Sequence, residues 1–259
     1  MARAQDTAFI SAAKRAGIRL PIAQPLDITD DTILDWYPAR VAPAAGMPRL
    51  RDISRRAGDP ELRLYVGGGL GQPEDMYVLR RHHGHVTGAL WLWWRSPPNV
   101  AKRDGDPDTQ KFWQNLVREM EARWVAHAAA NGCPHAEWRV VDSAGHVATD
   151  SASVTRGLPV LVCRATFTRE PDWAALSHTL DSLGVWTMPD ETELPGYRGP
   201  VSDAGTLWVE AFDGRRYRAY SNGGLIHGNS PQAGRATAMM DALNAIRRDV
   251  KHQAPAPGR

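Results

Sequence analysis

Residues 76–94, "MYVLRRHHGHVTGALWLWW", determine the predicted fold class. Two apolar runs with strand character flank His83–Gly84, a dipeptide that suits a two-residue turn. A hairpin around this turn pairs His82 with His85 and Met76 with Trp91. Both faces of the hairpin are then apolar, so either helices cover the sheet on both sides or one face is open to a partner.

Strand and helix signals alternate along the rest of the chain. Further strands are predicted at 61–68, 136–141, 158–167, 206–212 and 215–221. A second two-residue hairpin turn is predicted at Asp213–Gly214. Helices are predicted to begin at Asp106, Pro171 and Ser230. This order predicts an α+β fold in which antiparallel sheet packs with about three amphipathic helices. A hairpin followed by a helix occurs at 76–130 and again at 206–249, which is compatible with a weak internal duplication.

The chain is predicted to have one main α+β domain. Residues 1–45 are rich in Pro and Ala and are predicted to be a lead-in segment with one short helix at 30–36. The α+β domain covers 46–252, with two halves, 46–131 and 132–252, as the alternative. Residues 253–259 are predicted to be a disordered tail.

Composition limits the classes of function. The 259 residues are 42% apolar and 23% charged, as in an ordinary globular protein with a core. The formal net charge is +2 and the basic residues are scattered in pairs, so we expect no nucleic-acid partner. No apolar run has the roughly 18 residues that a transmembrane helix needs. The opening residues lack the apolar region of an export signal, although Ala2–Arg3–Ala4 is similar to the end of one.

The two cysteines, Cys133 and Cys163, do not have the spacing of a zinc site. They are either two buried thiols or a disulfide, and we predict the disulfide. Disulfides persist in oxidising compartments, so we predict a periplasmic or secreted protein, with a cytoplasmic location as the alternative.

The histidine-rich turn is a weak candidate metal site. His82 and His85 could supply two imidazoles, but a stable site needs three or four ligands and no HExxH motif exists. The glycines at 67–71 are not followed by the Lys–Ser/Thr of a phosphate loop. We therefore predict a solvated turn, with no metal and no cofactor.

One face of the hairpin is a candidate partner-binding surface. It carries Arg80, Trp91 and Trp93, residue types that are enriched at interface hot spots, and an Arg–Trp cation–π contact is expected there. The opposite face is predicted to be core and carries Tyr77, Leu79, Leu90, Leu92 and Trp94.

A glycine-rich loop, "SNGGLIHGNS" at 221–230, is a candidate small-molecule pocket. It leads into the last predicted helix and contains Asn222, His227 and Ser230. No GxSxG motif accompanies it. The acidic run at 190–193 is predicted to be a solvated turn rather than a ligand cluster.

A motif in the last third of the chain carries a family resemblance. Its residues are Gly184, Trp186, Pro189, Asp190, Trp208, Glu210, Asp213, Gly214 and Tyr217. In this pattern the chain resembles a family of uncharacterised proteobacterial proteins, many of them exported or lipid-anchored. The resemblance implies export and no particular activity, and this chain lacks the lipobox cysteine of anchored members. Glu210 and Tyr217 are expected to be directly opposed and hydrogen-bonded.

Together these observations predict a non-enzymatic, exported protein that binds a macromolecular partner. An immunity or inhibitor protein and a cell-envelope accessory factor are examples of this class. The alternative is a hydrolase or other small-molecule enzyme with its site at 222–230. The sequence leaves the oligomeric state open.

Overall fold

A computed structural model describes most of the predicted elements. It covers residues 40–53, 58–67, 74–95, 132–133, 136–141, 146–147, 158–194, 206–222, 230–248 and 250, and nine residues between 115 and 130. The predicted helix at 30–36, the tail at 253–259, most of the glycine-rich stretch at 67–71 and His227 lie outside the described residues.

Within the described ranges, seven strands form one antiparallel sheet, which confirms the α+β prediction. Their order across the sheet is β4-β5-β3-β2-β1-β6-β7. The strands are β1 (Glu61–Gly67), β2 (Glu74–His82), β3 (His85–Arg95), β4 (Glu137–Val141), β5 (Leu158–Arg164), β6 (Thr206–Phe212) and β7 (Tyr217–Asn222). The hairpins β2–β3 and β6–β7 lie on either side of β1; whether they are duplicates stays a prediction.

Four α-helices and one 3-10 helix have described bounds. They are α1 (Ala42–Ala44), α2 (Leu50–Ile53), α3 (Trp173–Ser182), α4 (Pro231–Arg248) and the 3-10 helix η1 (Glu191–Glu193). The nine described residues between 115 and 130 are helical, in agreement with the helix predicted from Asp106, although its start and its apolar stripe lie outside the described residues.

The β2–β3 hairpin has the predicted register. His82 pairs with His85, Arg80 with Thr87 and Met76 with Trp91. His83 and Gly84 both have positive φ, 47° and 80°, as a two-residue type I′ turn requires. This register fixes which side chains share a face of the sheet.

The first face of the sheet is the larger core. The five residues that the sequence assigned to a core face are all buried here. Helices α3 and α4 cover them through Leu176, Leu180, Met239 and Leu243. Trp173 lies directly on the strand backbone at Gly88, where a side chain would collide with its ring. Residue 88 must therefore be glycine for α3 to pack this closely.

The predicted disulfide is present on this first face. Cys133 and Cys163 are bonded, with their Cα atoms 5.8 Å apart and both side chains buried. Beside the bond, the amide and hydroxyl of Thr166 both donate to the carbonyl of Gly132, each at 2.9 Å. The end of the preceding helical region is thus fixed to β5.

The second face of the sheet is partly covered by residues 40–53, which we call the covering segment. Val41 and Ala44 pack in one apolar cluster with Tyr65 and Trp93. α2 contributes Leu50 to a smaller cluster with residues of β6 and β7. On this face the sheet is therefore covered by two short helices and not by a long amphipathic helix. The boundary at residue 45 stays a prediction, with the last residues of the predicted lead-in in contact with the sheet.

The β6–β7 connection differs from its prediction. Phe212 pairs with Tyr217, so four residues rather than two form the connection. The Asp213 carboxylate accepts hydrogen bonds from the amides of Arg215 and Arg216, at 2.8 and 2.7 Å. Asp213 thereby stabilises a longer turn, and the two-residue prediction was wrong because it ignored this side-chain acceptor.

Candidate functional site

The second face is not covered along its whole length. Beyond the covering segment, Thr87 is exposed and Ala89 and Trp91 are half-buried. Trp91 is directly opposite Arg164 of β5, and that arginine is exposed. We call Arg80, Thr87, Ala89, Trp91 and Arg164 the Trp91 surface.

Arg80 lies at one end of the Trp91 surface. Its Nε donates to the Glu61 carboxylate at 2.9 Å, and 49% of the side chain is exposed. Arg80 is opposite Thr87 whereas Trp91 is opposite Met76, so the two residues are about 13 Å apart along the strands. The predicted cation–π contact between Arg80 and Trp91 is therefore wrong.

Trp93 has a different environment from Trp91, although both lie on this second face. It has no exposed surface and packs with Tyr65, Met76 and Val162. A partner cannot touch it in this conformation, so it is left out of the Trp91 surface. Partner binding by Arg80 and Trp91 stays a prediction.

Arg164 is the residue that sequence reasoning missed. Its side chain forms no ion pair or hydrogen bond in the described part of the chain, and it is directly opposite the half-buried Trp91. Its position depends on the β3–β5 pairing, which joins strands about 70 residues apart in the chain. A prediction of that register from the apolar run of β5 could have found it.

A buried network of charged and phenolic groups lies under the covering segment. Glu210 accepts hydrogen bonds from the hydroxyls of Tyr65 and Tyr217, at 2.8 and 2.7 Å. Arg63 is directly opposite Glu210; its Nε donates to Glu61 at 2.7 Å and its Nη1 donates to the carbonyl of Pro48 at 2.8 Å. The network thus joins β1, β6 and β7 to the covering segment.

The ionisation of this network favours a structural role. Burial alone would lower the pKa of Arg63, but Tyr65, Glu210 and Glu61 outweigh it and raise the pKa above its ordinary value. Burial, with the charge of Glu210, raises the pKa of Tyr65 well above its ordinary value. At neutral pH Arg63 is charged and Tyr65 is a neutral donor. Neither has the pKa near 7 that suits an acid–base catalyst.

Tyr217 reaches Glu210 by an unexpected route. Glu210 is directly opposite Ala219, so the predicted direct opposition of Glu210 and Tyr217 was wrong. The longer turn shifts the register by two residues, which keeps both side chains on one face. The predicted hydrogen bond is confirmed, but it is diagonal across the strand pair.

The first half of the resemblance motif closes the outer edge of β7. Gly184, with φ of 78°, ends α3 and sends the chain along that edge. The carbonyl of Trp186 accepts from Arg218 at 2.6 Å, and Asp190 accepts from the amide of Ser221 at 2.8 Å. Asp190 and Glu191 are buried, 1% and 5% exposed, so the prediction of a solvated turn was wrong for both.

The candidate pocket at 222–230 is described only at its two ends. Asn222 is buried; its Nδ2 donates to the sulfur of Met188 at 3.2 Å, and its Oδ1 has no hydrogen-bond partner among the described residues. Ser230 accepts from the amide of Ala233 at 3.1 Å and so caps α4. His227 lies outside the described residues. The pocket therefore stays a prediction.

The histidine turn places the two predicted imidazoles side by side. His82 and His85 are directly opposed, and His82 Nδ1 lies 2.7 Å from the carboxylate of Asp59. All three side chains are exposed. Among the described residues, no three His, Cys, Asp or Glu side chains are grouped so that they could hold a metal ion.

Comparison with protein-family models, with curated proteins and with solved structures finds no match to this chain. The family resemblance of the last third stays an expectation. Within the described residues, every helix is too short or too polar to cross a bilayer.

Proposed function

We propose that the protein is a non-enzymatic, exported protein that binds a macromolecular partner through the Trp91 surface. The observation that carries this proposal is the pair formed by Trp91 and Arg164. A half-buried tryptophan is directly opposite an exposed arginine that has no counter-ion among the described residues. Trp and Arg are the residue types most enriched at interface hot spots.

The rest of the second face supports this assignment by contrast. Where the covering segment lies on the sheet, large side chains such as Trp93 and Trp208 are buried. The same face is left partly open around Trp91. The proposed partner is another protein, and this chain would belong to the immunity, inhibitor or cell-envelope accessory class.

Export is supported by the disulfide. Cys133 and Cys163 form a buried bond that fixes the end of one helical region to the sheet. Such structural bonds are typical of proteins in oxidising compartments. A periplasmic or secreted location is thus part of the proposal.

A small-molecule enzyme with a site at 222–230 is the second candidate. Buried Asn222 favours it: its Oδ1 has no partner in the part of the chain that the structure describes, and a ligand with a donor group could satisfy that oxygen. An enzyme also needs titratable groups that converge on a pocket. At the described ends of this loop, Ser230 is already engaged as a helix cap. The binding function therefore has the stronger support.

Affinity capture from the native host tests the proposal. The bait is the purified protein, compared with Trp91→Ala, Arg164→Glu and a control, Arg248→Glu, which changes an exposed arginine at the end of α4. We expect a partner that is retained by the wild type and by the control but is lost with both surface variants, while thermal melts show that each variant is folded. If Arg164→Glu and Trp91→Ala both retain the partner as well as the wild type does, the role of this surface is refuted.

A further inference from the structure

The strand β4 is at one end of the sheet, and no other described strand pairs with most of its outer side. In the described part of the chain, the outer backbone of β4 is engaged at Val141, which forms an isolated bridge with Val147 and whose carbonyl accepts from Arg40 at 2.8 Å. Residues 137–140 have no second strand beside them among the described residues. The outward backbone groups of such an edge strand can pair with another strand.

This free edge carries an exposed aromatic side chain. Trp138 is 39% exposed, and its ring makes an edge-to-face contact with Trp94 at 5.7 Å between centroids. The exposed tryptophan provides apolar area for an interface, and the edge strand provides backbone groups to which another strand can add. The two features together indicate a strand-pairing surface.

Two opposite charges flank Trp138 on the other face of the sheet. Glu137 and Arg139 have side chains that are 64% and 37% exposed, and they form an ion pair with each other at 2.9 Å. Edge strands commonly carry charges that discourage pairing with foreign strands. Here the negative Glu137 and the positive Arg139 lie symmetrically about Trp138. Two identical strands can therefore pair with opposite charges facing each other.

We propose that β4 pairs antiparallel with β4 of a second copy of this chain, around a two-fold axis at Trp138. Glu137 of each copy is then directly opposite Arg139 of the other, and the two Trp138 side chains are neighbours. The result is a continuous sheet through both copies, with an isologous interface.

Charge selects this register among the neighbouring ones. Directly opposed residues must lie on the same face, so the strands can shift only in steps that preserve the faces. A shift in one direction places Glu137 opposite Glu137, and a shift in the other places Arg139 opposite Arg139. Like charges that are directly opposed destabilise a strand pair. The register centred on Trp138 is the one with opposite charges in both flanking pairs, which is why we assign a second copy as the occupant.

The association is expected to be moderate in strength. The paired region is one short strand on each copy, which puts the interface at the small end of the size range. A dissociation constant of about 1–100 µM is therefore expected. The pairing does not use Val141, so the bridge to Val147 and the contact with Arg40 are retained.

Sedimentation velocity of the purified protein, with its disulfide intact, tests the proposal over about 1–200 µM. The wild type should show a monomer–dimer equilibrium. Glu137→Arg should weaken the dimer about tenfold or more, because each Arg139 then faces an arginine. The double exchange Glu137→Arg with Arg139→Glu restores opposite charges in both pairs and should return the dissociation constant to within about threefold of the wild type.

Glu119→Arg provides a control of equal charge change, since Glu119 is exposed on another element. It should leave the dimer unchanged, and thermal melts should show that all variants fold. A wild type that remains monomeric at the highest concentration would overturn the proposal. A dimer that is insensitive to Glu137→Arg, or that is not restored by the double exchange, would also overturn it.

Discussion

Gly88→Ala should destabilise the protein through a direct collision with Trp173. A Cβ at position 88 would lie 2.2 Å from Cδ2 and 2.3 Å from Cε3 of the indole, about 1.2 Å closer than the 3.4 Å of ordinary contact. The ring cannot move easily, because Nε1 donates to Glu170 at 2.6 Å and Phe167 packs against it edge to face. Overpacking typically costs 1–3 kcal/mol, and complete expulsion of the ring would cost about 3–5 kcal/mol. We expect a loss of about 2–4 kcal/mol.

Urea unfolding of a double-mutant cycle measures this effect. Gly88→Ala should lower the melting temperature by about 5–15 °C at this chain length. In a Trp173→Leu background the same change should cost less than about 1 kcal/mol, because the colliding ring has gone. Equal costs of Gly88→Ala in the two backgrounds would show that α3 does not pack on β3 at this point.

Three further changes test other parts of the structure. In urea unfolding, Trp93→Ala should lower the free energy of unfolding by about 3–5 kcal/mol and Trp91→Ala by less than about 2 kcal/mol, because of the two rings only Trp93 is fully buried. Equal losses of stability would contradict the burial assigned to the two rings. Glu210→Gln should cost about 2–4 kcal/mol, because it removes a buried charge that faces Arg63, and a neutral result would mean that the network adds no stability. Burial raises the pKa of Asp75, so the folded state holds the carboxyl proton more tightly than the unfolded state does. The free energy of unfolding should therefore fall as pH rises through the folded pKa. Asp75→Asn should remove this contribution to the pH dependence of the free energy of unfolding, and an unchanged pH dependence would contradict the assignment.

Much of the fold could be predicted because its signals are local. The strand pattern of residues 76–94 and the His83–Gly84 turn fix the hairpin register without any distant contact. The start of α3 after Pro171 and its end before Gly184 likewise depend on residues within one or two turns. Apolar alternation therefore assigned both faces of β2 and β3 correctly.

The errors arise where a polar side chain, rather than the apolar pattern, determines the local structure. The four-residue turn after β6 depends on acceptance of two amides by Asp213, and the burial of Asp190 depends on a backbone amide of β7 about 30 residues away. Apolar pattern does not report on either. The covering segment was likewise hard to assign, because α1 and α2 have three and four residues and too few turns to show helical periodicity.

The candidate site was only partly predictable for the same reason. The hairpin sequence places Trp91 on the second face, but its exposure and that of Trp93 depend on where the covering segment ends. Arg164 reaches the surface through the pairing of β3 with β5. Apolar alternation predicts which residues share a face of the sheet. It does not predict which part of that face another segment covers.

The two outer edges of the sheet are treated differently, and this difference separates structural residues from candidate binding residues. The edge of β7 is closed by the chain after α3, where Asp190 accepts the outward amide of Ser221 and Arg218 holds the carbonyl of Trp186. Since residues of the resemblance motif perform this closure, a chain with the same motif would be expected to share this edge rather than a binding activity. The edge of β4 has no comparable closure among the described residues and carries exposed Trp138. Recognition of partners should therefore be sought at Trp91 and at Trp138, outside the motif.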